Sequence, residues 1–192
     1  MIWMCDYPKA PEHSVDEIAE SIDAVYAAAL EKYPSYKITL MGDSAGGTLI
    51  AALTQRLVRS KKPLPKDLIL ISPVMDASLS NPSIPKIDSV DPMLSYEGVL
   101  SAKKMYARSL SLKSAEVSPL YGSFEGFPKT TFFIASYDIT YPDQLLAIEK
   151  MKDSGVAVEV IEGDQMPHIW PLLPVMKEAK IALKHIIGLL NS

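Results

Sequence analysis

Read as apolar and polar positions, the chain alternates short runs that suit buried strands with longer stretches of helical period. Residues 1–5 (MIWMC) are apolar and end at Asp6-Tyr7-Pro8, where proline closes a strand, so a short buried first strand is expected. Ser14-Val15-Asp16-Glu17 has the Ser and Glu spacing of a capping box. Ile18, Ile22, Val25 and Ala29 then recur at helical spacing as far as Lys32, before Pro34 breaks the pattern. A strand over residues 37–41 runs into Gly42-Asp43-Ser44-Ala45-Gly46 and the helix-forming TLIAALTQRLV. Residues 67–71 (DLILI), 130–135 (TTFFIA) and 156–162 (VAVEVIE) read as further strands. Helices are expected to open at Pro142 and to close the chain over residues 175–190. Apolar strands alternating with helices are buried on both faces. They predict an α/β architecture, a doubly wound, mostly parallel sheet whose ligands bind beyond the carboxyl ends of the strands.

Residues 74–128 break this rhythm with many Ser and Pro and one helix, about 96–109, that Ser95 is placed to cap. A long excursion between two core strands is usually functional. The reading is a single domain over residues 1–192 with a cap or lid-like insertion at about 74–126. Tyr96, Met105, Tyr106, Tyr121 and Phe124 are available there as apolar walls, although such residues more often serve simple packing.

Composition narrows the partners. A length of 192 residues with 48% apolar residues is enough for one sizeable core. The net charge of −4, scattered rather than in blocks, gives no footprint for nucleic acid. No apolar run reaches the length of a membrane span, and the start lacks a basic leader followed by a long apolar segment. The lone Cys5 lies in an apolar run, where a buried, inert thiol is expected, and the chain reads as cytoplasmic. No cofactor or metal ion is expected.

The chemistry concentrates at Ser44. In a G-x-S-x-G elbow the turn is so tight that side chains two before and two after the serine would collide with neighbouring backbone. A bare G-x-S-x-G arises by chance in about one chain of this length in fifteen. The strand before it and the helix after it raise its specificity. The N–H groups behind the serine open a helix, where unpaired donors and the helix dipole favour developing negative charge. A serine nucleophile needs a base and an acid to orient it. Among the three histidines, His13 precedes the first helix and His185 lies inside the last, whereas His168 follows the final strand. Asp138 follows TTFFIA by three residues. Asp143 is a competing carboxylate, but it follows Pro142 at a helix opening, where carboxylates are favoured for capping. Ser44, Asp138 and His168 stand in the chain order of α/β-hydrolase triads.

Six stretches then carry a resemblance across nearly the whole chain: GDSAGG at 42–47, DYPKAPEH at 6–13, SPVMD at 72–76, SPLYG at 118–122, SYDITYPD at 136–143 and MPHIW at 166–170. Together they resemble the hormone-sensitive-lipase-like family of α/β-hydrolases. The resemblance implies hydrolysis of small carboxylic esters through an acyl-enzyme, with Ser44 as nucleophile, Asp138 as triad acid, His168 as base and the Ala45 N–H as an oxyanion donor. Where the family often has glycine and an aromatic after the histidine, Ile169-Trp170-Pro171 stand here, which is expected to change the pocket wall.

The family's HGGG-type loop, which supplies the other oxyanion donors, has no counterpart in this sequence, so an N-terminally truncated hydrolase fold is expected. The alternative reading is a non-catalytic or very weakly active hydrolase that binds acyl ligands or partners. Turnover at least ~10²-fold below that of a chain carrying the loop is expected. The first strand either pairs with the elbow strand or lies outside the sheet, and the exposed edge left by either outcome predicts a homo-oligomer.

Overall fold

The computed structural model describes residues 1–191. Its centre is a sheet of four parallel strands in the order β1-β2-β3-β4: β1 (Thr39–Asp43), β2 (Asp67–Ile71), β3 (Lys129–Tyr137) and β4 (Val158–Pro167). The helices are α1 (Val15–Lys32), α2 (Ala45–Arg59), α3 (Ile84–Asp88), α4 (Tyr96–Ala107), α5 (Tyr141–Asp153) and α6 (Lys177–Asn191).

Period-two side-chain alternation divides the core. Leu68, Leu70, Phe132 and Ile134 meet Ala51 of α2 and Ala147, Ile148 and Met151 of α5 on one face. Ile69, Ile71, Phe133 and Ala135 meet Ala182 and Ile186 of α6 on the other. The sheet is covered on both sides, as the apolar run of β2 requires. Outside α2 lies α1, held through Ile18, Ile22 and Tyr26 against Leu49, Leu53 and Leu57, and through the Arg56–Asp23 ion pair. The capping box of α1 is formed: Glu17 N–H donates to Ser14 Oγ, and Ser14 N–H donates to Glu17 Oε2. Ser95 caps α4 by accepting from the Gly98 N–H.

Several elements depart from the sequence reading. Residues 1–5 form no strand, and Met1, Ile2 and Met4 are exposed, which leaves β1 an edge strand whose only sheet neighbour among the described residues is β2. The segment folds back instead onto the end of α1, with Trp3 edge-on to Tyr33 and Lys32 over the Trp3 ring. Cys5 is consequently exposed rather than buried. The elbow strand starts two residues later than its apolar pattern, since Ser35–Lys37 forms a 3-10 turn. Residues 163–167, beyond the expected strand at 156–162, extend β4 alongside β3 with a register shift between Ala135 and Tyr137. Phe124 is fully buried in the main core and is not a cap wall, whereas Met105 is 46% exposed.

The elbow itself is asymmetric. A Cβ on Gly42 would sit 2.5 Å from the backbone C and O of Gly46, whereas a Cβ on Gly46 would meet nothing within 4 Å. The close approach therefore constrains Gly42, with Gly46 contributing the backbone it meets. Gly47, outside the five-residue motif, is the second constrained position, because its Cβ would lie 2.8 Å from Pro73 Cβ. Gly42→Ala is expected to destabilise the fold by roughly 2–3 kcal/mol, since backbone must move to admit the methyl group. Gly46→Ala should fall within about 1 kcal/mol of the parent, with helix propensity favouring it. Urea midpoints of the two variants check the contrast, and equal losses would contradict it.

Candidate active site

Each candidate residue lies at the carboxyl end of a different strand: Ser44 after β1, Asp138 after β3 and His168 after β4. Ser44 has φ 49° and ψ −117°, a conformation that an L residue adopts only when its surroundings impose it. Its N–H donates to the Ile71 carbonyl at 2.8 Å, and its own carbonyl accepts the Thr48 N–H. Ala45 is exposed and opens α2, so its N–H belongs to the unpaired donors of a helix start.

Asp138 and His168 are in direct contact, with Asp138 Oδ2 2.7 Å from His168 Nδ1 and both residues buried. The other carboxylate oxygen, Oδ1, accepts from the Thr140 N–H at 2.8 Å and the Thr140 hydroxyl at 2.6 Å. Thr140 therefore fixes the carboxylate's rotation. A carboxylate at Nδ1 places the ring proton there, which leaves Nε2 as the basic nitrogen. Nε2 is buried without a hydrogen-bond partner. Among the described residues Ser44 Oγ and His168 Nε2 are not hydrogen-bonded to each other. Nucleophile and base are often looser without substrate.

The end of β2 supplies parts the sequence reading missed. Ser72 is buried at φ 45°, and its Oγ accepts the Ile169 N–H at 3.0 Å, directly after His168. Ser72 enters the sequence reading only within the SPVMD stretch, and no local signal marked this role. Ile169 is left-handed at φ 51°, where glycine would carry no steric penalty. Trp170 is buried against β3, its Nε1–H donating to the Ile134 carbonyl at 3.0 Å. Trp170 thus anchors the His168 loop to the core. Its ring also explains Gly163, whose Cβ would lie 2.7 Å from it.

The remaining titratable candidates lie elsewhere. His13 is exposed beside Glu17, and His185 pairs with Glu159 and stacks edge-on to Phe133. Asp143 does not cap α5, which starts from Thr140. Asp143 is buried, and its Oδ1 accepts from Asn81 Nδ2 at 2.9 Å while Oδ2 has no partner. No group of three or more His, Cys, Asp or Glu side chains among the described residues could hold a metal ion. No described helix is long and apolar enough to cross a membrane.

The profile of the alpha/beta hydrolase fold family matches residues 1–172. The chain belongs to the α/β-hydrolase fold family. An esterase of Acinetobacter venetianus is 34% identical over 155 residues, covering 80% of this chain and 51% of its own length. Esterase LipU of Mycobacterium tuberculosis is 29% identical over 179 residues, covering 88% of this chain and 57% of its own. This α/β-hydrolase chain thus spans about half the length of these curated relatives. An esterase from the bacterial hormone-sensitive lipase family superposes with a TM-score of 0.92 at 29% identity, over 96% of this chain and 63% of that one. The resemblance drawn from the six sequence stretches is therefore a family relationship, and the expected fold is observed.

Asp143 gives this α/β-hydrolase a specific pH signature. Burial pushes its carboxyl up to about 6, assisted by the nearby Asp76, against the Asn81 hydrogen bond and Lys113. The unfolded carboxyl releases its proton near pH 4, so between about 4 and 6 the folded state holds the extra proton. Stability therefore falls as pH rises through that window, and above it the buried charge is a standing cost. Asp143→Asn, which keeps the acceptor for Asn81, is expected to stabilise the fold by roughly 1–3 kcal/mol at pH 7–8. That gain should shrink towards pH 4. Thermal melts of both proteins across pH 4–8 check it, and a pH-independent difference would contradict it.

Proposed function

We propose that this chain is a serine carboxylic ester hydrolase working through Ser44, His168 and Asp138. The observation that carries the reading is the buried His168 ring, bonded at Nδ1 to Asp138 and unpartnered at Nε2. A base held in this way can take a proton only at Nε2.

In the proposed reaction Nε2 removes the Ser44 hydroxyl proton as Oγ attacks the ester carbonyl carbon. The resulting tetrahedral oxyanion is received by the Ala45 N–H at the start of α2, where the helix dipole adds to the hydrogen bond. Collapse expels the alcohol, which takes the proton from the imidazolium and leaves an acyl group on Ser44. Water, deprotonated by the same Nε2, attacks that acyl carbon, and release of the carboxylate restores the serine. Asp138 stays ionised throughout and stabilises the imidazolium. The substrate class, a small-molecule carboxylic ester, is supported by the relatives, which include esterases and a triacylglycerol lipase. Ser44 is only half-buried, which suits attack on a ligand arriving from solvent.

A fluorophosphonate probe is expected to label Ser44, and p-nitrophenyl butyrate hydrolysis should depend on it. Ser44→Ala and His168→Ala should each lower kcat by at least about 10³-fold, and Ser44→Ala should leave the thermal midpoint close to that of the parent. Mass-spectrometric mapping of the label together with steady-state rates makes the test. Hydrolysis that survives Ser44→Ala in purified protein would overturn the proposal.

A further inference from the structure

The loop that carries Asp138 is not completed by its own strand and helix. The Ile139 N–H, directly after the acid, belongs to a residue with no solvent exposure, and a buried donor of this kind needs an acceptor. The acceptor is Asp91 Oδ2, 2.9 Å away and 48 residues earlier in the chain, on the α3–α4 connection of the excursion. The other oxygen of the same carboxylate, Oδ1, accepts the N–H groups of Met93 at 2.8 Å and Leu94 at 2.9 Å. One oxygen thus shapes the excursion's own turn while the second reaches across to the acid's loop.

The Ile139 side chain makes the same connection by packing. It is buried with Leu79 and Ile84, and Ile87, Leu94, Tyr96, Val99 and Leu100 of the excursion close around it. A third tie lies one helical turn on, where Asn81 donates to Asp143. Backbone and side chain of the residue following Asp138 are therefore both held by residues 79–100.

We propose that Asp91 is a positioning residue for Asp138, so that docking of α3 and α4 sets the alignment of the Asp138–His168 pair. This inference rests on the hydrolase reading for its consequence in catalysis. The physical reason is short leverage: Asp138 and Ile139 share a peptide plane, so displacement of the Ile139 N–H rotates the main chain from which the carboxylate is presented. A misplacement of about 1 Å in a catalytic group can cost about 10²-fold in rate.

Asp91→Asn separates the two duties of the carboxylate. It keeps an oxygen for Met93 and Leu94 and replaces the one facing Ile139 with an NH2 that cannot accept. A flipped amide would instead set its NH2 against two N–H donors, so the unflipped form is favoured. Hydrogen exchange at the Ile139 amide is expected to accelerate about 10-fold, with Met93 and Leu94 unchanged. The maximal rate of Ser44 phosphonylation by the fluorophosphonate should fall about 10-fold at unchanged half-saturating probe. Both effects should persist in about 1 M NaCl, where the screening length of ~3 Å removes any through-space effect of the lost charge.

Faster exchange with an unchanged maximal rate would overturn the proposal, as would a raised half-saturating concentration alone, which would mark Asp91 as a ligand-binding group. A rate loss that vanishes in high salt would overturn it too. The parent protein supplies a check that needs no variant: an Ile139 amide exchanging as fast as an open loop amide would refute the tether. Labelling that survives Ser44→Ala sinks the hydrolase reading, and the exchange measurements still decide whether Asp91 holds the Ile139 N–H.

Discussion

Two adjacent residues at the end of β2 tie the halves of the site together. Ile71 accepts the N–H of Ser44, and Ser72 Oγ accepts the N–H of Ile169 beside His168. The neighbouring strands β1 and β3 flank β2, and the His168 loop crosses from β4 beyond them. A hydroxyl and a carbonyl one residue apart therefore set the relation between the serine turn and the imidazole loop. The positive φ of Ser44, Ser72 and Ile169 is the conformational cost of bringing three chain reversals to one sheet edge. Packing absorbs that cost: Gly42 closes on Gly46, Gly47 closes on Pro73, and Trp170 locks the His168 loop onto β3.

The acid is supported differently. Thr140 satisfies Asp138 Oδ1 from within the same loop, whereas the next peptide N–H is satisfied from the excursion. Ser44 is held by its strand-to-helix turn and by the Ile71 carbonyl on the neighbouring strand. The Asp138 loop depends on residues 79–100, which lie outside the central α/β alternation and form a separate apolar cluster with Ile139. Residues 79–100 and the Asp138–His168 pair are thereby physically connected.

Asp143 shows how local rules and burial compete. Its position after Pro142 suits a helix-capping carboxylate, and on an exposed helix that would have been its role. In this fold the start of α5 is buried beneath the excursion, so the carboxylate serves Asn81 and carries a desolvation cost. The same burial makes Thr140, four residues before Gln144, a hydrogen-bond relay between the helix and Asp138.

What the sequence by itself determined are the properties set within a few residues. These include the capped starts of α1 and α4, the apolar strand β2, the parallel α/β alternation, and the serine on a strand-to-helix turn. Each follows from local periodicity or backbone sterics, which need no distant partner. The tertiary structure decided whatever depends on contacts between remote segments. An apolar run at residues 1–5 stayed out of the sheet although β1 leaves an edge open, and its Trp3 packs on Tyr33 and Lys32 at the end of α1 instead. Ser72, Thr140 and Asp91 look like ordinary turn residues, and their roles arise only when a main-chain N–H or a carboxylate from elsewhere is carried to them. Gly46 and Gly47 are adjacent and identical in the sequence, yet only at Gly47 would a Cβ meet another segment, at Pro73, and that approach is a property of the packed chain alone.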